Sequence, residues 1–198
     1  MRLYQYHPSG NCYKIRLLLN QLQIPYEKVE IDILKGESRT PEFLRINSNG
    51  RIPVLEVNGR YLPESNAALY YLAQGTPFFP QDRYAQAQVL QWLFFEQYSH
   101  EPYIATIRFW VAFQKSTVKN AAEIRRRKPL GYAALDVMER HLQQNLFFVD
   151  NRYSIADIAL YAYTHVAEEG GFDLQRFPHL RSWLNRIQQL PGYLGIEE

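Results

Sequence analysis

The sequence predicts a two-part fold: a mixed α/β domain with a four-stranded sheet over residues 1–74, a linker over 75–83, and an all-α helical bundle over 84–198. Three observations predict it. Strand and helix patterns alternate up to Ala73. Gly75-Thr76-Pro77-Phe78-Phe79-Pro80 then interrupts both, and beyond it only helical periodicity remains. A change from alternating elements to helices alone argues for two domains.

Arg2-Leu3-Tyr4-Gln5-Tyr6 reads as a short strand, ended by His7-Pro8-Ser9-Gly10. From Asn11 to Gln23, residues Ile15, Leu18, Leu19 and Leu22 fall on one apolar helical stripe, which Pro25 stops. Tyr26 to Ile33 alternates as a second strand, with Val29, Ile31 and Ile33 on one face. A polar stretch from Lys35 to Asn49 holds a short helix around Pro41 to Arg45. Two strand runs, Ile52 to Val57 and Arg60 to Leu62, are joined by Asn58-Gly59, a strong hairpin signal. Glu64-Ser65 opens a helix through Leu72. A crossover helix gives a parallel strand pair and a hairpin an antiparallel one, so the sheet is mixed.

In the second half, Tyr84 to about Gln114 is a long helical region with Val89, Leu90, Leu93 and Phe94 on one face, which Pro102 should kink or split. Leu130 to Leu146, Ser154 to about Glu168, and Phe177 to Leu190 complete the bundle. Ser154-Ile155-Ala156-Asp157 has a Ser N-cap and an acid at N3, as in a capping box, and Tyr153 and Ile158 take the positions of a hydrophobic staple. Arg125-Arg126-Arg127-Lys128, ended by Pro129, reads as the solvated C-terminal end of a helix.

Composition bounds the function. The chain has 198 residues, enough for a sizeable core. Its 22 Lys and Arg against 20 Asp and Glu leave a net charge of +2, too little to draw nucleic acid or an acidic membrane by bulk electrostatics. A lone cysteine, Cys12, excludes an intrachain disulfide framework, and the five histidines show no metal-ligand spacing, so no metal is expected. There is no basic segment followed by an apolar run at the start, and no apolar stretch of about 20 residues. A reducing, cytoplasmic enzyme or binding protein is expected.

Three junctions are candidates for chemistry. At Ser9-Gly10-Asn11-Cys12, between strand and helix, unpaired amides and the positive end of the helix dipole can hold an anion or a thiolate; Ser9 or Asn11 merely capping the helix accounts for the same residues. Cys12 reads either as a low-pKa nucleophile or as a small buried hydrophobe. In Arg51-Ile52-Pro53-Val54-Leu55, a cis Ile52–Pro53 bond would turn the Ile52 backbone to a ligand, while an edge-strand proline is the plain alternative. Glu64-Ser65-Asn66-Ala67 joins a carboxylate, a hydroxyl and a helix tip. Glu64 suits an ammonium, and Ser65 with the amides suits a carboxylate; Ser65 as a simple N-cap is the competing account. Aromatics such as Tyr98, Tyr103, Phe109 and Trp110 are core by default, and those near Pro102 could wall an apolar pocket.

In chain order these pieces resemble a cytosolic glutathione S-transferase of the serine type, similar to Theta-like bacterial members, across essentially the whole chain. Ser9-Gly10-Asn11-Cys12-Tyr13-Lys14 stands where such members keep an activating serine. Asn47-Ser48-Asn49-Gly50-Arg51-Ile52-Pro53-Val54-Leu55 resembles the loop before the family's cis-proline. Glu64-Ser65, followed by Ala67-Ala68-Leu69-Tyr70-Tyr71-Leu72, resembles its γ-glutamyl recognition helix, and Ser154-Ile155-Ala156-Asp157 its capping box. The resemblance implies a thioredoxin-like first domain and a helical substrate-binding domain. Because Ser9 and Cys12 are spaced like the cysteines of a thioredoxin Cys-x-x-Cys motif, it gives Ser9 the exposed, reactive position and Cys12 the sheltered one. Tyr4 and Tyr6 leave a tyrosine-based mechanism as an alternative.

By that resemblance, Ser9 and Asn11 would serve catalysis, and Arg39, Arg51, Ile52, Pro53, Glu64 and Ser65 would bind glutathione. Tyr103, Phe109 and Trp110 would line an electrophile pocket. Lys35 is a further cation for the glycyl carboxylate, and Ser38 stands where serine-type relatives often carry His. A cysteine thiol near 8.5 is about 3% ionised at pH 7, and lowering it by about two units takes about 2.7 kcal/mol. A hydroxyl donor and helix amides supply energy of that order. Glutathione would be a co-substrate, with no bound cofactor, no nucleic acid and no membrane involved. The partner would be a small electrophile undergoing detoxification, and the chain would pair as a homodimer. A glutathione-dependent thiol–disulfide reductase or peroxidase, and a non-catalytic glutathione-binding scaffold, are the alternatives.

Overall fold

The computed structural model describes all residues, Met1–Glu198. They form two compact units, one of Met1–Thr76 with Leu190–Glu198 and one of Pro77–Gln189.

The first unit runs β1 (Arg2–Gln5), α1 (Gly10–Gln21), β2 (Glu27–Glu30), a 3-10 turn (Glu37–Arg39), α2 (Pro41–Ile46), β3 (Val54–Val57), β4 (Arg60–Pro63) and α3 (Ser65–Ala73). The sheet order is β2-β1-β3-β4. β1 pairs parallel with β2, with Leu3 opposite Lys28, and antiparallel with β3, with Leu3 opposite Leu55; β3 pairs antiparallel with β4. This is the mixed four-stranded sheet that the element order predicts. Strand alternation sends Tyr4 to one face, where it clusters with Phe43 and Val54 against Val29, Ile31, Ile46 and Ile52. Leu3 and Leu55 bury completely, as do Ile15, Leu18 and Leu19 of α1 and Leu69 of α3. Each such side chain contributes about 1.5–3 kcal/mol.

Two boundaries in this unit move. The second strand is shorter than its alternation suggests, because the Asp32 carboxylate accepts from the Leu34 and Lys35 amides and bends the chain, although Ile31 still packs inward. The segment after Leu190, assigned from sequence to the helical half, belongs instead to the first unit. Four α1 and β2 side chains donate to its carbonyls: Tyr13 Oη to Leu194 (2.6 Å), Arg16 Nη2 to Ile196 (2.6 Å), Asn20 Nδ2 to Gly192 (3.0 Å) and Lys28 Nζ to Glu198 (3.4 Å). Such pairing across the length of the chain leaves no local pattern in the sequence.

The second unit contains α4 (Arg83–Phe95), a π-helical turn (Glu96–His100), α5 (Glu101–Arg108), a second π-helical turn (Phe109–Phe113), α6 (Ala121–Leu142), α7 (Ile155–Thr164), a 3-10 turn (Ala167–Gly170) and α8 (Pro178–Gln188). The long helical region runs without a break from Arg83 to Phe113; a π-helical turn at Glu96–His100 shifts its register just before Pro102, which sits in the first turn of α5. On α4 the buried positions are Ala85, Val89, Trp92 and Leu93, whereas Leu90 and Phe94 face outward, so the expected stripe is half wrong. The basic run is also corrected. α6 begins at Ala121, carries Pro129 inside it, and holds Arg126 and Arg127 on Glu123 one turn back, at 2.8 and 3.1 Å. Its charges therefore lie in the first turns of a helix, not at its end. Proline keeps a helical φ and forfeits one backbone bond, and the i,i+3 and i,i+4 ion pairs support the turn before it.

Every residue of α7 is buried. The capping box is present: Ser154 Oγ accepts from the Ala156 amide (3.3 Å), and the Asp157 carboxylate accepts from the Ser154 amide (3.0 Å). Tyr153 packs its ring against Phe78 and Phe147. No helix is long and apolar enough to cross a membrane.

Candidate functional site

The site builds from the β1–α1 junction. The Ser9 amide donates to the Tyr6 carbonyl at 2.9 Å, closing a turn that delivers Ser9 in an extended conformation to the N-cap of α1. Its hydroxyl accepts from the Cys12 amide at 3.4 Å, so the capping account of Ser9 is realised. That bond uses a lone pair and not the hydroxyl proton, and Ser9 is only half-buried. Cys12 is fully buried, its sulfur accepting from the Tyr6 amide at 3.4 Å. Burial pushes its thiol up to about 11, against the pull of the Tyr6 and Ser9 contacts. Cys12 is the small buried hydrophobe of the two readings. Tyr4 is also removed from thiolate chemistry: burial and the Glu56 carboxylate, on which its hydroxyl donates at 3.0 Å, push it up to about 12.

The second junction is a loop wound around Asn47, which is buried. Its Nδ2 donates to the Arg51 carbonyl (2.7 Å), its Oδ1 accepts from the Asn49 amide (3.1 Å), and its carbonyl accepts from the Gly50 amide (2.8 Å). The loop leads into a cis Ile52–Pro53 peptide, with Pro53 buried and Ile52 half-buried. Gly50 has φ +61°, and a Cβ there would stand 2.6 Å from Arg39 Nη1 and 2.9 Å from the Ser38 carbonyl. Arg39 itself donates to the Asn49 carbonyl at 2.9 Å, so its exposed guanidinium lies along this loop. Arg51 is exposed at the end of the same loop, Ser38 is buried beneath it, and Lys35 is paired with Asp32 at 3.2 Å.

The third junction opens α3. Glu64 is its N-cap, exposed, at φ +71° and without a side-chain cap bond. A non-glycine residue held in that region costs about 1–3 kcal/mol and is found where a site demands it. Ser65 is the first helical residue, not the cap, and is buried. Its hydroxyl donates to Asn11 Oδ1 at 3.1 Å, while Lys14 Nζ donates to Ser65 Oγ and to Asn66 Oδ1, each at 3.3 Å. The opening turns of α1 and α3 are thus joined through four polar side chains. Sequence reasoning missed Lys14, although a signal existed. Asn11, Lys14 and Leu18 follow i, i+3, i+7, which places two polar residues on the face that Leu18 buries.

In the second unit, Tyr103 on α5 and Phe109 and Trp110 on the following π-helical turn are all half-buried. Phe109 stacks on Phe113 with ring centroids 6.4 Å apart. The Arg127 guanidinium lies over the Trp110 ring at 5.6 Å and donates to the Pro102 carbonyl at 3.1 Å. Arg108, buried, lies over Phe113 at 4.7 Å and pairs with Glu169 at 2.8 Å. These are partly open aromatic surfaces with cationic neighbours, neither a closed core nor bare. No group of three or more His, Cys, Asp or Glu side chains could hold a metal ion.

Residues 1–74 match the family described as glutathione S-transferase, N-terminal domain, and residues 90–191 that described as glutathione S-transferase, C-terminal domain. A solved glutathione S-transferase from Pseudomonas fluorescens Pf-5 is 50% identical, with a TM-score of 0.98 over 100% of this chain and 98% of that one. A glutathione transferase from Pseudomonas putida, solved with one glutathione disulfide bound per subunit, is 26% identical, with a TM-score of 0.84 over 96% of this chain and 87% of that one. The disulfide-bond oxidoreductase YfcG of Escherichia coli is 29% identical over 93% of this chain and 89% of its own length. The chain spans only 58% of the length of the Kluyveromyces marxianus protein URE2, to which it is 26% identical. With both halves matched in order and a capped α1, a cis-proline loop and the α3 junction all in place, the chain belongs to the glutathione S-transferase family.

Proposed function

We propose that this protein is a glutathione transferase that joins the glutathione sulfur to small, largely apolar electrophiles. Glu64 faces the γ-glutamyl ammonium, while Ser65 and the amino end of α3 take its carboxylate. The Ile52 backbone beside Pro53 pairs with the cysteinyl residue, and Arg39 or Arg51 takes the glycyl carboxylate. Ser9 donates its hydroxyl proton to the sulfur, and the positive end of α1 favours the thiolate. Asn11 supports the α3 junction through Ser65 and offers a second polar group near the sulfur. The thiolate then attacks an electrophilic carbon. The C–S bond forms as the leaving group departs with its bonding pair, or, with an enone, as the pair moves to oxygen and a proton is taken from water. Tyr103, Phe109 and Trp110 line the electrophile side. A second copy of the chain is the proposed structural partner, and a cytoplasmic setting suits the lone free thiol.

The observation that carries this reading is Ser9, a half-buried hydroxyl at the N-cap of α1 with its proton uncommitted to that cap. A panel of halides, epoxides, enones and peroxides assayed with glutathione tests it. Ser9→Ala should lower turnover at least about tenfold while glutathione affinity changes less, since one donor aimed at developing charge is lost. Unchanged turnover would remove Ser9 from the mechanism.

Thiol–disulfide exchange is a second reading, favoured by the likeness to a disulfide-bond oxidoreductase and to a transferase holding glutathione disulfide. Here the bound glutathione thiolate attacks a disulfide substrate, forms a mixed disulfide and releases the other thiolate; a second glutathione then completes the reduction and leaves as glutathione disulfide. Cys12 takes no part, because its thiol is buried and pushed up to about 11.

A further inference from the structure

Arg16 of α1 is completely buried, and its three hydrogen bonds all go to neutral oxygens. Nη1 donates to Gln5 Oε1 (3.2 Å) and to the His7 carbonyl (2.9 Å), and Nη2 donates to the Ile196 carbonyl (2.6 Å). Its Nε is buried without an acceptor. A guanidinium held this way carries a desolvation cost that no paired carboxylate offsets. Tyr13 and Asn20 also hold the C-terminal segment, at Leu194 and Gly192, and they do so with neutral groups. Arg16 differs from them in its second contact, on His7.

The His7 peptide is gripped from both sides. Its N–H donates to Glu30 Oε2 at 3.1 Å, and its carbonyl accepts from Arg16. Gln5, fully buried on β1, closes the circuit by donating to Glu30 Oε1 and accepting from Arg16. Arg16, Gln5, Glu30 and the His7 peptide thus form a closed ring from α1 across β1 to β2. Bonds closed in a ring polarise one another and hold the peptide they share in one orientation. That orientation matters two residues later, because the turn from Tyr6 delivers Ser9, whose amide donates to the Tyr6 carbonyl at 2.9 Å. A misplacement of about 1 Å is enough to cost a catalytic group much of its effect. Arginine suits the task, since its planar fork reaches acceptors in fixed directions whereas lysine is a point donor.

We infer that Arg16 is a positioning residue for the sulfur-activating hydroxyl: it ties the segment at Ile196 to the His7 peptide and so fixes the turn that presents Ser9, without touching glutathione. The inference rests on the glutathione reading above, in which Ser9 donates to the sulfur. It makes the C-terminal segment part of the support for that donor.

Titrating the ultraviolet absorbance of the bound thiolate against pH, in the glutathione complex of the full chain, tests this. Arg16→Lys keeps the charge and loses the fork. It should raise the titration midpoint by about 0.5–1 pH unit, with glutathione affinity within about threefold. In a Ser9→Ala background it should cause no further rise, because its effect passes through Ser9. Glu30→Ala, at an exposed position, releases the other side of the His7 peptide. Loss of a carboxylate would by charge alone lower the midpoint, so a rise there marks a loosened turn. An unchanged midpoint in Arg16→Lys, an undiminished further rise in the Ser9→Ala background, or a fall in Glu30→Ala overturns the inference while leaving the glutathione reading intact. A midpoint in the native complex no lower than that of free glutathione overturns that reading, and the inference with it. Should Arg16→Lys not fold, Glu30→Ala alone and with Ser9→Ala decides by the same signs.

Discussion

Trp183 on α8 donates its indole N–H to Asp157 on α7 at 2.9 Å, so the capping box of one helix is also the anchor of another. The same carboxylate accepts from the Phe148 amide at 3.2 Å and from Ser154 through both its amide and its hydroxyl. Asp157→Asn must turn an amide group toward at least one of these donors. We expect a loss of about 2–4 kcal/mol, read by urea unfolding, with Trp183→Phe costing less because an acceptor then loses one partner of several.

Two groups on and just after α7 give stability opposing pH slopes. Burial pushes Asp157 up to about 7 from an ordinary 3.8, so between those values the folded state binds the extra proton and stability falls as pH rises. Burial, with the Arg108 charge adding to it, pushes His165 down to about 4 from 6.5, so there the unfolded state binds the extra proton and stability rises with pH. From about pH 4 to 6.5 the two contributions oppose each other. His165→Asn should therefore expose a steady fall in unfolding free energy across that window, and Asp157→Asn a rise. Parallel profiles for both variants would contradict the assignment.

Cys12 should be chemically quiet. Its sulfur lies 3.4 Å from the Tyr6 amide, fully buried, with its thiol pushed up to about 11. Iodoacetamide at pH 8 should label it only as fast as the protein unfolds, and Cys12→Ala should leave both conjugation and disulfide reduction within about twofold, at a stability cost of about 1 kcal/mol. Loss of disulfide reduction in that variant would return Cys12 to the mechanism.

Gly50→Ala should damage the loop that carries Ile52. It places a side chain at φ +61° and drives a methyl into Arg39 and the Ser38 carbonyl. A loss of about 1–2 kcal/mol is expected, with a several-fold rise in KM for glutathione. Arg39→Ala in the same background relieves one of the two clashes, so part of the stability should return, which a double-mutant cycle measures.

Much of this was legible in the sequence because it is local. The Asn58-Gly59 hairpin and the capping box are each written within about ten residues, and each forms as expected. Of the α1 stripe, Ile15, Leu18 and Leu19 bury, while Leu22 is the half-buried C-cap and the helix buries polar residues such as Lys14 and Arg16 as well. The cis bond at Pro53 was not local: proline chemistry alone favours trans, and only the order of motifs pointed to cis. The errors also have physical sources. Pro129 was read as a stop, yet it lies inside α6, where the buried face of the following turns, with Gly131, Ala134, Leu135 and Met138, continues the helix past it. Phe94 counted as core by its type, but a large apolar side chain carries no label for which side of a helix will be covered. Lys14 was overlooked because Ser65, to which it donates, lies far along the chain.

The return of Leu190–Glu198 to the first unit changes the topology of the molecule. The polypeptide leaves that unit at Thr76 and re-enters it at Leu190, so the helical unit is an insertion and not an appendage. Tyr13, Arg16 and Asn20 act together as a reversible clasp that closes this excursion in the folded state; unlike a covalent staple, it is lost when α1 melts, so the full loop-closure entropy must be offset each time the chain folds.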